Sequence, residues 1–157
     1  MLYEQMFNFK KFSEKLYTAG MPTKEQLEDI KKYVQLVINL APHDSHDALL
    51  DEEHIVKSLG MDYVNIPVDW NSPTRDNLTK FMDLMDNIDD KKILVHCQAN
   101  FRASSFVTMY RILRKGWDET EALNLMREIW DEQTYPIWDE FISETIEEFK
   151  KEEKNSK

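Results

Sequence analysis

The only cysteine of the chain stands close to an arginine, at a junction between two kinds of sequence pattern. Cys97 follows a short apolar run, residues 93–95, with His96 between them, and Arg102 opens a stretch of helical periodicity. A cysteine thiolate is a strong nucleophile, and the planar guanidinium group of an arginine binds two oxygens of a phosphate at once. These residue types therefore indicate a nucleophile beside an anion-binding site.

The loop between Cys97 and Arg102 is predicted to lie beyond the carboxyl end of a buried strand, where open α/β sheets bind their ligands. Because a helix starts at once, the N–H groups of this loop would lie at the helix N-terminus. Such groups and the helix dipole bind anions and favour a thiolate over a thiol. We expect Cys97 to be the nucleophile and Arg102 to bind an oxyanion. The plainer interpretation is that Cys97 is a small buried apolar side chain.

The rest of the predicted site comes from the loop and from the preceding strand. Phosphoryl transfer to a thiolate requires a proton for the leaving oxygen and then an activated water, and one carboxylic acid can serve both steps. Asp69 follows the strand predicted at residues 61–68, so we assign it as the third catalytic residue; a solvated turn aspartate is the alternative. Trp70 beside it would cover the site or belong to the core. The predicted substrate-binding residues are His96, Gln98, Ala99, Asn100, Phe101, Ala103, Ser104 and Trp70.

The His96-Cys97 pair, the short loop, Arg102 and a following serine resemble the signature of the cysteine-dependent protein phosphatases, specifically the small dual-specificity-like ones. The resemblance extends from about residue 16 to residue 149. It implies that Cys97 accepts the phosphoryl group, that Arg102 clamps the phosphate, and that His96 supports the loop and the thiolate. It also implies that a loop in the place of Asp69 carries the general acid.

The loop has four residues between cysteine and arginine, where these phosphatases usually have five, and it contains no glycine. This shorter version is similar to a bacterial family of tyrosine-phosphatase-like proteins, related to the phosphatase-like part of the beta-lactamase-hydrolase-like proteins. Residues 16–27 are also similar to the opening of that group. Asn100 is the loop residue that best tolerates a positive φ. Ala103 stands where a hydroxyl usually follows the arginine, and Ser104 is the next candidate.

Two other functions fit the same residues. A four-residue loop before an arginine also suits rhodanese-like sulfurtransferases, which would use a Cys97 persulfide, although His96 and Asp69 favour the phosphatase. A catalytically weak phosphate-binding module is the third possibility. We expect no cofactor, because no glycine-rich nucleotide-binding motif is present. We expect no metal either, because the histidines and aspartates of residues 43–47 have no third ligand nearby at a spacing that would fix a metal geometry. This segment is predicted to be a polar loop at the rim of the site.

Apolar periodicity predicts alternating helices and strands up to Arg102 and helices alone after it. The predicted elements are a helix after the capping box Thr23-x-x-Gln26, a strand at 33–40, a helix at 49–59, a strand at 61–68, a helix capped by Ser72 with Pro73 in its first turn, a strand at 93–95, and helices ended by Gly116, capped by Asp118 and opened by Pro136. This order predicts an α/β fold with a mostly parallel central sheet flanked by helices and a helical C-terminal third. Residues 1–157 would form one domain, with 1–12 as an N-terminal arm and 150–157 as a frayed tail.

The composition limits the partners. The 157 residues carry a formal net charge of −10, which repels nucleic acid and anionic lipid at long range. No segment reaches the roughly 18 consecutive apolar residues of a membrane span. We therefore expect a phosphorylated substrate, either a phosphoprotein or a small phosphate ester, and neither nucleic acid nor membrane; the oligomeric state stays open. The first residues lack a secretory apolar core, so we expect a soluble, cytoplasmic protein, with a periplasmic one as the alternative if a leader has been removed.

Overall fold

Five strands form one sheet in the order β1-β2-β5-β3-β4. The computed structural model describes residues 1–45 and 48–155. The strands are β1 (Lys10–Ser13), β2 (Leu16–Ala19), β3 (Leu36–Asn39), β4 (Asp62–Asn65) and β5 (Ile93–His96). β1 pairs antiparallel with β2, and all other neighbours are parallel. The prediction of a mostly parallel sheet is confirmed, and the apolar run before Cys97 forms its central strand.

In the described part of the chain, six α-helices cover the two faces of this sheet. They are α1 (Lys24–Ile30), α2 (Glu52–Ser58), α3 (Arg75–Asp86), α4 (Phe101–Lys115), α5 (Glu119–Met126) and α6 (Pro136–Asn155), with short 3-10 helices at Leu2–Gln5 and Glu132–Thr134. Successive side chains of a strand point to opposite faces. In β5, Ile93 and Val95 pack in the larger core with α3 to α6, whereas Leu94 packs in a smaller core with α1 and α2. The same alternation turns His96 towards α2 and Cys97 towards the larger core.

The predicted start of α3 is wrong by two residues. The sequence favours Ser72 as its N-cap with Pro73 in the first turn, but the helix begins at Arg75. Its N-cap is Thr74, whose Oγ1 accepts a hydrogen bond from the N–H of Asn77 at 3.1 Å. Both hydroxyls can cap a helix, and the choice depends on where the loop after β4 brings the chain onto the sheet. The two other predicted caps, Thr23 for α1 and Asp118 for α5, are confirmed.

Both chain ends contribute secondary structure. The segment predicted as an N-terminal arm contributes the 3-10 helix Leu2–Gln5 and most of β1. Helix α6 continues past Lys150 to Asn155. Near its end, Lys150 pairs with Glu119 of α5, and Arg75 of α3 pairs with Glu152. None of the described helices combines the length and apolarity needed to cross a bilayer.

Candidate active site

The sulfur of Cys97 lies at the carboxyl end of the central strand and against the first turn of α4. The residue is only 1% exposed. Its N–H donates to the carbonyl of Ala19 at 3.3 Å, which continues the β2–β5 ladder by one residue. Its Sγ accepts a hydrogen bond from the N–H of Ala103 at 3.4 Å. The first N–H groups of a helix have no acceptor within it, so here one of them is used by the sulfur.

Asn100 gives the glycine-free loop its turn. Its backbone adopts the left-handed conformation, with φ at 70°, immediately before α4. Its Nδ2 donates to the carbonyl of Asn8 at 2.7 Å and to Oγ1 of Thr18 at 2.9 Å. In return, Nδ2 of Asn8 donates to the carbonyl of Ala99 at 3.0 Å. The N-terminal segment is therefore tied to the loop by reciprocal side-chain hydrogen bonds.

Gly20 allows the loop to approach the end of β2, and the sequence analysis missed it. Its N–H donates to the carbonyl of Phe7, and the N–H of Met21 donates to the carbonyl of Gln98 at 3.0 Å. A Cβ atom at position 20 would lie 2.6 Å from the carbonyl oxygen of Gln98, too close for any side chain. The sequence signal for this close approach is that Gly20, one of only three glycines in the chain, directly follows an apolar segment.

Arg102 links the loop to the strand that carries the predicted acid. Its side chain is 5% exposed, and its guanidinium group donates to the carbonyl of Val68 at 2.8 Å. Asp69 comes next and is exposed. One of its carboxylate oxygens accepts from the N–H of Asn71 at 2.9 Å, which closes a tight turn. The structure thus brings Cys97, Arg102 and Asp69 to one edge of the sheet.

An open cleft of about 1030 Å³ lies above these residues. Seven of the predicted site residues line it: Asp69, Trp70, Cys97, Gln98, Ala99, Phe101 and Arg102. The other four predicted residues do not line the cleft, because they are fully buried: His96, Asn100, Ala103 and Ser104. The hydroxyl of Ser104 donates to the carbonyl of Phe101 at 3.2 Å. These four residues are therefore placed to support the loop from behind.

A buried acid holds the imidazole of His96, and the sequence analysis did not identify it. Nε2 of His96 lies 2.5 Å from a carboxylate oxygen of Glu52, the first residue of α2, and both side chains are buried. Nδ1 of His96 lies 3.2 Å from the carbonyl oxygen of Cys97. The imidazole therefore connects α2 to the backbone of the nucleophile. The sequence does not indicate this contact, because Glu52 is one of several acidic residues around the start of α2.

Three further side chains extend this buried network to the surface. Nδ2 of Asn39 donates to Glu52 at 3.3 Å and to the hydroxyl of Tyr63 at 3.1 Å, and Nε2 of His43 lies 3.1 Å from that hydroxyl. Burial, and secondly the carboxylate of Glu52, raises the pKa of Tyr63. The phenol is therefore neutral at all ordinary pH values and can act as a hydrogen-bond donor.

Trp70 joins the cleft to an aromatic cluster rather than lying free over the site. Its ring stacks against that of Trp138 with centroids 5.4 Å apart, and its carbonyl accepts from the indole N–H of Trp138 at 2.8 Å. Phe101 stacks on Trp130 at 4.5 Å. The cluster holds the segment after Asp69 and one wall of the cleft. Trp70 therefore both lines the cleft, as one interpretation predicted, and packs against the core, as the other predicted.

The predicted rim loop is described only in part. Ser45 lines the cleft and His43 contacts Tyr63, whereas the predictions for His46 and Asp47 concern positions outside the described residues. Within residues 1–45 and 48–155, no group of three or more His, Cys, Asp or Glu side chains is placed to hold a metal ion. Arg75 lies away from the cleft, because it pairs with Glu148 and Glu152 of α6.

A thiol at the end of the central parallel strand, followed by a tight loop, an arginine and a helix N-terminus, defines the class of cysteine-dependent phosphatases. Residues 4–143 match the family described as the DSP-PTPase phosphatase fused to NAD+ kinase, and the chain belongs to this family. It is therefore a phosphatase of the DSP-PTPase type, as its sequence predicts.

Solved structures agree with this assignment. Two crystal structures of a protein described as a DUF442 phosphatase, from Shewanella putrefaciens CN-32, are similar to this chain. One is 36% identical, covers 88% of each chain and has a TM-score of 0.80; the other is 32% identical, covers 94% of this chain and 97% of that one, and has a TM-score of 0.83. TpbA from P. aeruginosa is 18% identical with a TM-score of 0.74, over 91% of this chain and 88% of that one, and shows the same fold.

One curated relative is described by a different activity. The tRNA uridine(34) hydroxylase of Staphylococcus carnosus (strain TM300) is 28% identical over 71% of this chain. The chain spans only 40% of the length of that protein.

Proposed function

We propose that the chain hydrolyses phosphate monoesters through a cysteinyl-phosphate intermediate. In the first step the thiolate of Cys97 attacks phosphorus, the bond from phosphorus to the ester oxygen breaks, and Asp69 gives its proton to that leaving oxygen. The guanidinium group of Arg102 and the loop N–H groups bind the non-bridging oxygens, where negative charge is spread in the transition state.

In the second step Asp69, now a carboxylate, takes a proton from a water molecule. That water attacks the phosphorus of the cysteinyl phosphate, and the sulfur–phosphorus bond breaks. Inorganic phosphate leaves, while Cys97 returns to the thiolate and Asp69 to the acid. Protons balance over the cycle, and no cofactor or metal ion is needed.

The observation that carries this proposal is the joint placement of three groups at one edge of the sheet. Arg102 is bound to the carbonyl of Val68, the residue that directly precedes Asp69, and all three groups line the same cleft. The sulfur already accepts a hydrogen bond from a helix N-terminal amide, which favours negative charge on it. An arginine held this way needs only to rotate its remaining N–H groups towards a bound phosphate.

The experiment compares the hydrolysis of two aryl phosphates by the purified protein and its variants. Cys97→Ser should remove turnover of p-nitrophenyl phosphate to background. Asp69→Asn should reduce kcat/KM, which reports the first step, by about 10²- to 10⁴-fold on phenyl phosphate. It should reduce kcat/KM on p-nitrophenyl phosphate less, because p-nitrophenolate leaves without needing a proton.

A matched control is Asp62→Asn, which removes an exposed carboxylate at the start of strand β4, the end away from the segment that carries Asp69. It should leave kcat unchanged. Equal losses for Asp62→Asn and Asp69→Asn, or equal losses of kcat/KM on both esters, would contradict the role of Asp69. Turnover by Cys97→Ser at the parent rate would contradict the nucleophile.

The substrate of this proposal is a phosphorylated protein or a small phosphate ester. The walls of the cleft are largely apolar, with Phe7, Met21, Leu49 and Trp70 around the polar floor. Such walls favour an ester with an apolar leaving group next to the phosphate. A structure of TpbA contains phosphotyrosine, an ester of this kind.

Sulfur transfer through a Cys97 persulfide is the second candidate, supported by the four-residue loop between Cys97 and Arg102. A persulfide mechanism gives no role to Asp69. Sulfurtransferase activity from thiosulfate to cyanide that exceeds the phosphatase activity, and that survives Asp69→Asn, would establish it. Tight phosphate-ester binding with no turnover of either kind would instead favour the binding module.

A further inference from the structure

A second cavity lies at the opposite end of the sheet from Cys97. Its volume is about 300 Å³, and it is bounded by Leu16 and Ile93, which begin strands β2 and β5, and by the last two turns of α4. The cleft above Cys97 lies at the carboxyl ends of these same strands. The cleft and the second cavity share no lining residue. Helix α4 contributes its first residues to the cleft and its last residues to the second cavity.

The lining of the second cavity is basic in an acidic protein. It contains four cationic side chains, Lys15, Lys91, Arg111 and Lys115, and one carboxylate, Asp89. The chain as a whole has a net charge of −10. Lys115 lies 3.5 Å from Asp89 and Lys91 lies 3.7 Å from Asp62, and these contacts between exposed groups neutralise little. A local excess of positive charge surrounds a space large enough for a small molecule.

Arg111 is the most unusual of these cations because it is buried without a counter-charge. It is 8% exposed, and its guanidinium group lies over the ring of Trp117 at 4.2 Å and that of Phe12 at 5.0 Å. Its hydrogen bond goes to a neutral acceptor, the carbonyl of Phe12, at 3.1 Å. Burial lowers the pKa of the Arg111 guanidinium, as expected for a cation with no anion beside it.

The other arginines of the chain provide the comparison. Arg75, Arg114 and Arg127 each pair with at least one carboxylate. Among the described residues only Arg102 and Arg111 combine burial with a hydrogen bond to a backbone carbonyl and no carboxylate partner. Arg102 lines the cleft that we assign to phosphate. Arg111 has the same environment in a second cavity, and a buried charge is stable only when it is paired.

We propose that this second cavity binds a small organic anion, with its carboxylate or phosphate group on Arg111 and its planar ring against the wall that Tyr110 and Trp117 form. The anion would complete the missing charge pair, and Lys15 at the rim would add to the attraction. The two aromatic side chains give an apolar wall, which selects an aromatic acid over inorganic phosphate. This proposal does not depend on the catalytic roles of Cys97 and Asp69.

The test is a titration of the folded ¹⁵N-labelled chain with phenylphosphonate, which has an aromatic ring and a non-hydrolysable anionic group. The indole N–H signal of Trp117, assigned with Trp117→Phe, reports on this cavity separately from the signals of Trp70, Trp130 and Trp138. We expect a saturable shift of the Trp117 signal. Arg111→Gln should raise the Kd from this signal about tenfold or more, because a charge-assisted hydrogen bond is lost.

Arg114→Gln is the matched control, since Arg114 lies on the same helix but faces Asp83 and Asp86. It should change the Kd by less than about twofold. Benzamide, which has a similar shape and no charge, should give no saturable shift. Should Arg111→Gln fail to fold, Lys15→Gln must raise the Kd about two- to fivefold. An unsaturable Trp117 shift, an unchanged Kd in the folded Arg111→Gln or Lys15→Gln variant, or equal binding of benzamide would overturn the proposal.

Discussion

The carboxylate of Glu52 holds the imidazole of His96 in place, and the imidazole in turn contacts the backbone of the nucleophile, Cys97. Glu52 accepts from Nδ2 of Asn39 and contacts Nε2 of His96, so its two oxygens hold two buried side chains. Removing a group with two buried partners leaves both unsatisfied, which costs more than the hydrogen bonds themselves are worth. Glu52 is therefore a positioning residue for the loop, although it touches no substrate.

At this residue, Glu52→Ala should lower the free energy of unfolding by about 3 kcal/mol, because it leaves Nε2–H of His96 and one N–H of Asn39 without an acceptor. Glu52→Gln keeps an acceptor of the same shape and should lose less. Urea denaturation of the purified variants measures both values. Glu53→Ala is the control, since the neighbouring carboxylate is exposed and pairs with Lys57; it should change the stability by less than about 0.5 kcal/mol. Equal effects of the two alanine substitutions would show that the buried network does not hold His96.

At the scale of elements, the start of α3 decides where the segment carrying Asp69 ends. The helix is capped by Thr74, while Ser72 donates its N–H to the carbonyl of Asp69 at 3.1 Å and closes the turn before it. Thr74→Ala should therefore destabilise the protein by about 1 kcal/mol through the lost N-cap. Ser72→Ala should change stability by less than about 0.5 kcal/mol, because its backbone N–H remains. Thermal unfolding of the two variants measures the difference in stability. A larger loss of stability for Ser72→Ala than for Thr74→Ala would contradict the assignment of Thr74 as the N-cap.

The elements also show which features a sequence can reveal. The run at residues 93–95 predicts a central strand because only a strand buried on both faces is continuously apolar. Its alternation also implies that His96 and Cys97 point to opposite faces. Strand β1, by contrast, has four half-exposed or exposed residues and no apolar pattern. Its pairing with β2 is a tertiary effect, and so is the close approach that requires Gly20.

The same division holds within the site. Cys97, Arg102 and Asp69 could be named from residue type and position, because each follows or precedes an element that the pattern predicts. Glu52 could not, since its contact with His96 depends on how α2 docks on the sheet. Asn100 lies between these cases: its tolerance of a positive φ was evident, but its hydrogen bonds to Asn8 and Thr18 join segments that are distant in the sequence.

At the scale of the whole molecule, two buried phenols link stability to alkaline pH. Burial and the Glu52 carboxylate raise the pKa of Tyr63, and burial and the hydrogen bond to Asp86 raise the pKa of Tyr110. In the unfolded chain a tyrosine loses its proton near pH 10. Above about pH 10 the unfolded state therefore binds fewer protons than the folded state, and the free energy of unfolding falls as the pH rises.

We expect this alkaline loss to be smaller in Tyr63→Phe, because one of the contributing phenols is absent. Below pH 10 the variant should be less stable than the parent, since it lacks the hydrogen bonds to Asn39 and His43. The difference between the two proteins should narrow from about pH 10 upward. Urea denaturation at a series of pH values measures it; a constant difference across the range would contradict the assignment to Tyr63.

The most direct measurement for the central claim is the detection of a phosphoryl group on Cys97 during turnover. The Asp69→Asn variant is mixed with p-nitrophenyl phosphate and quenched in acid, and its peptides are analysed by mass spectrometry. The good leaving group lets the first step proceed while the loss of the base slows the second, so the peptide containing Cys97 should carry one added phosphoryl group. Continued turnover with no phosphoryl group on Cys97, or with the group on another residue, would contradict the account.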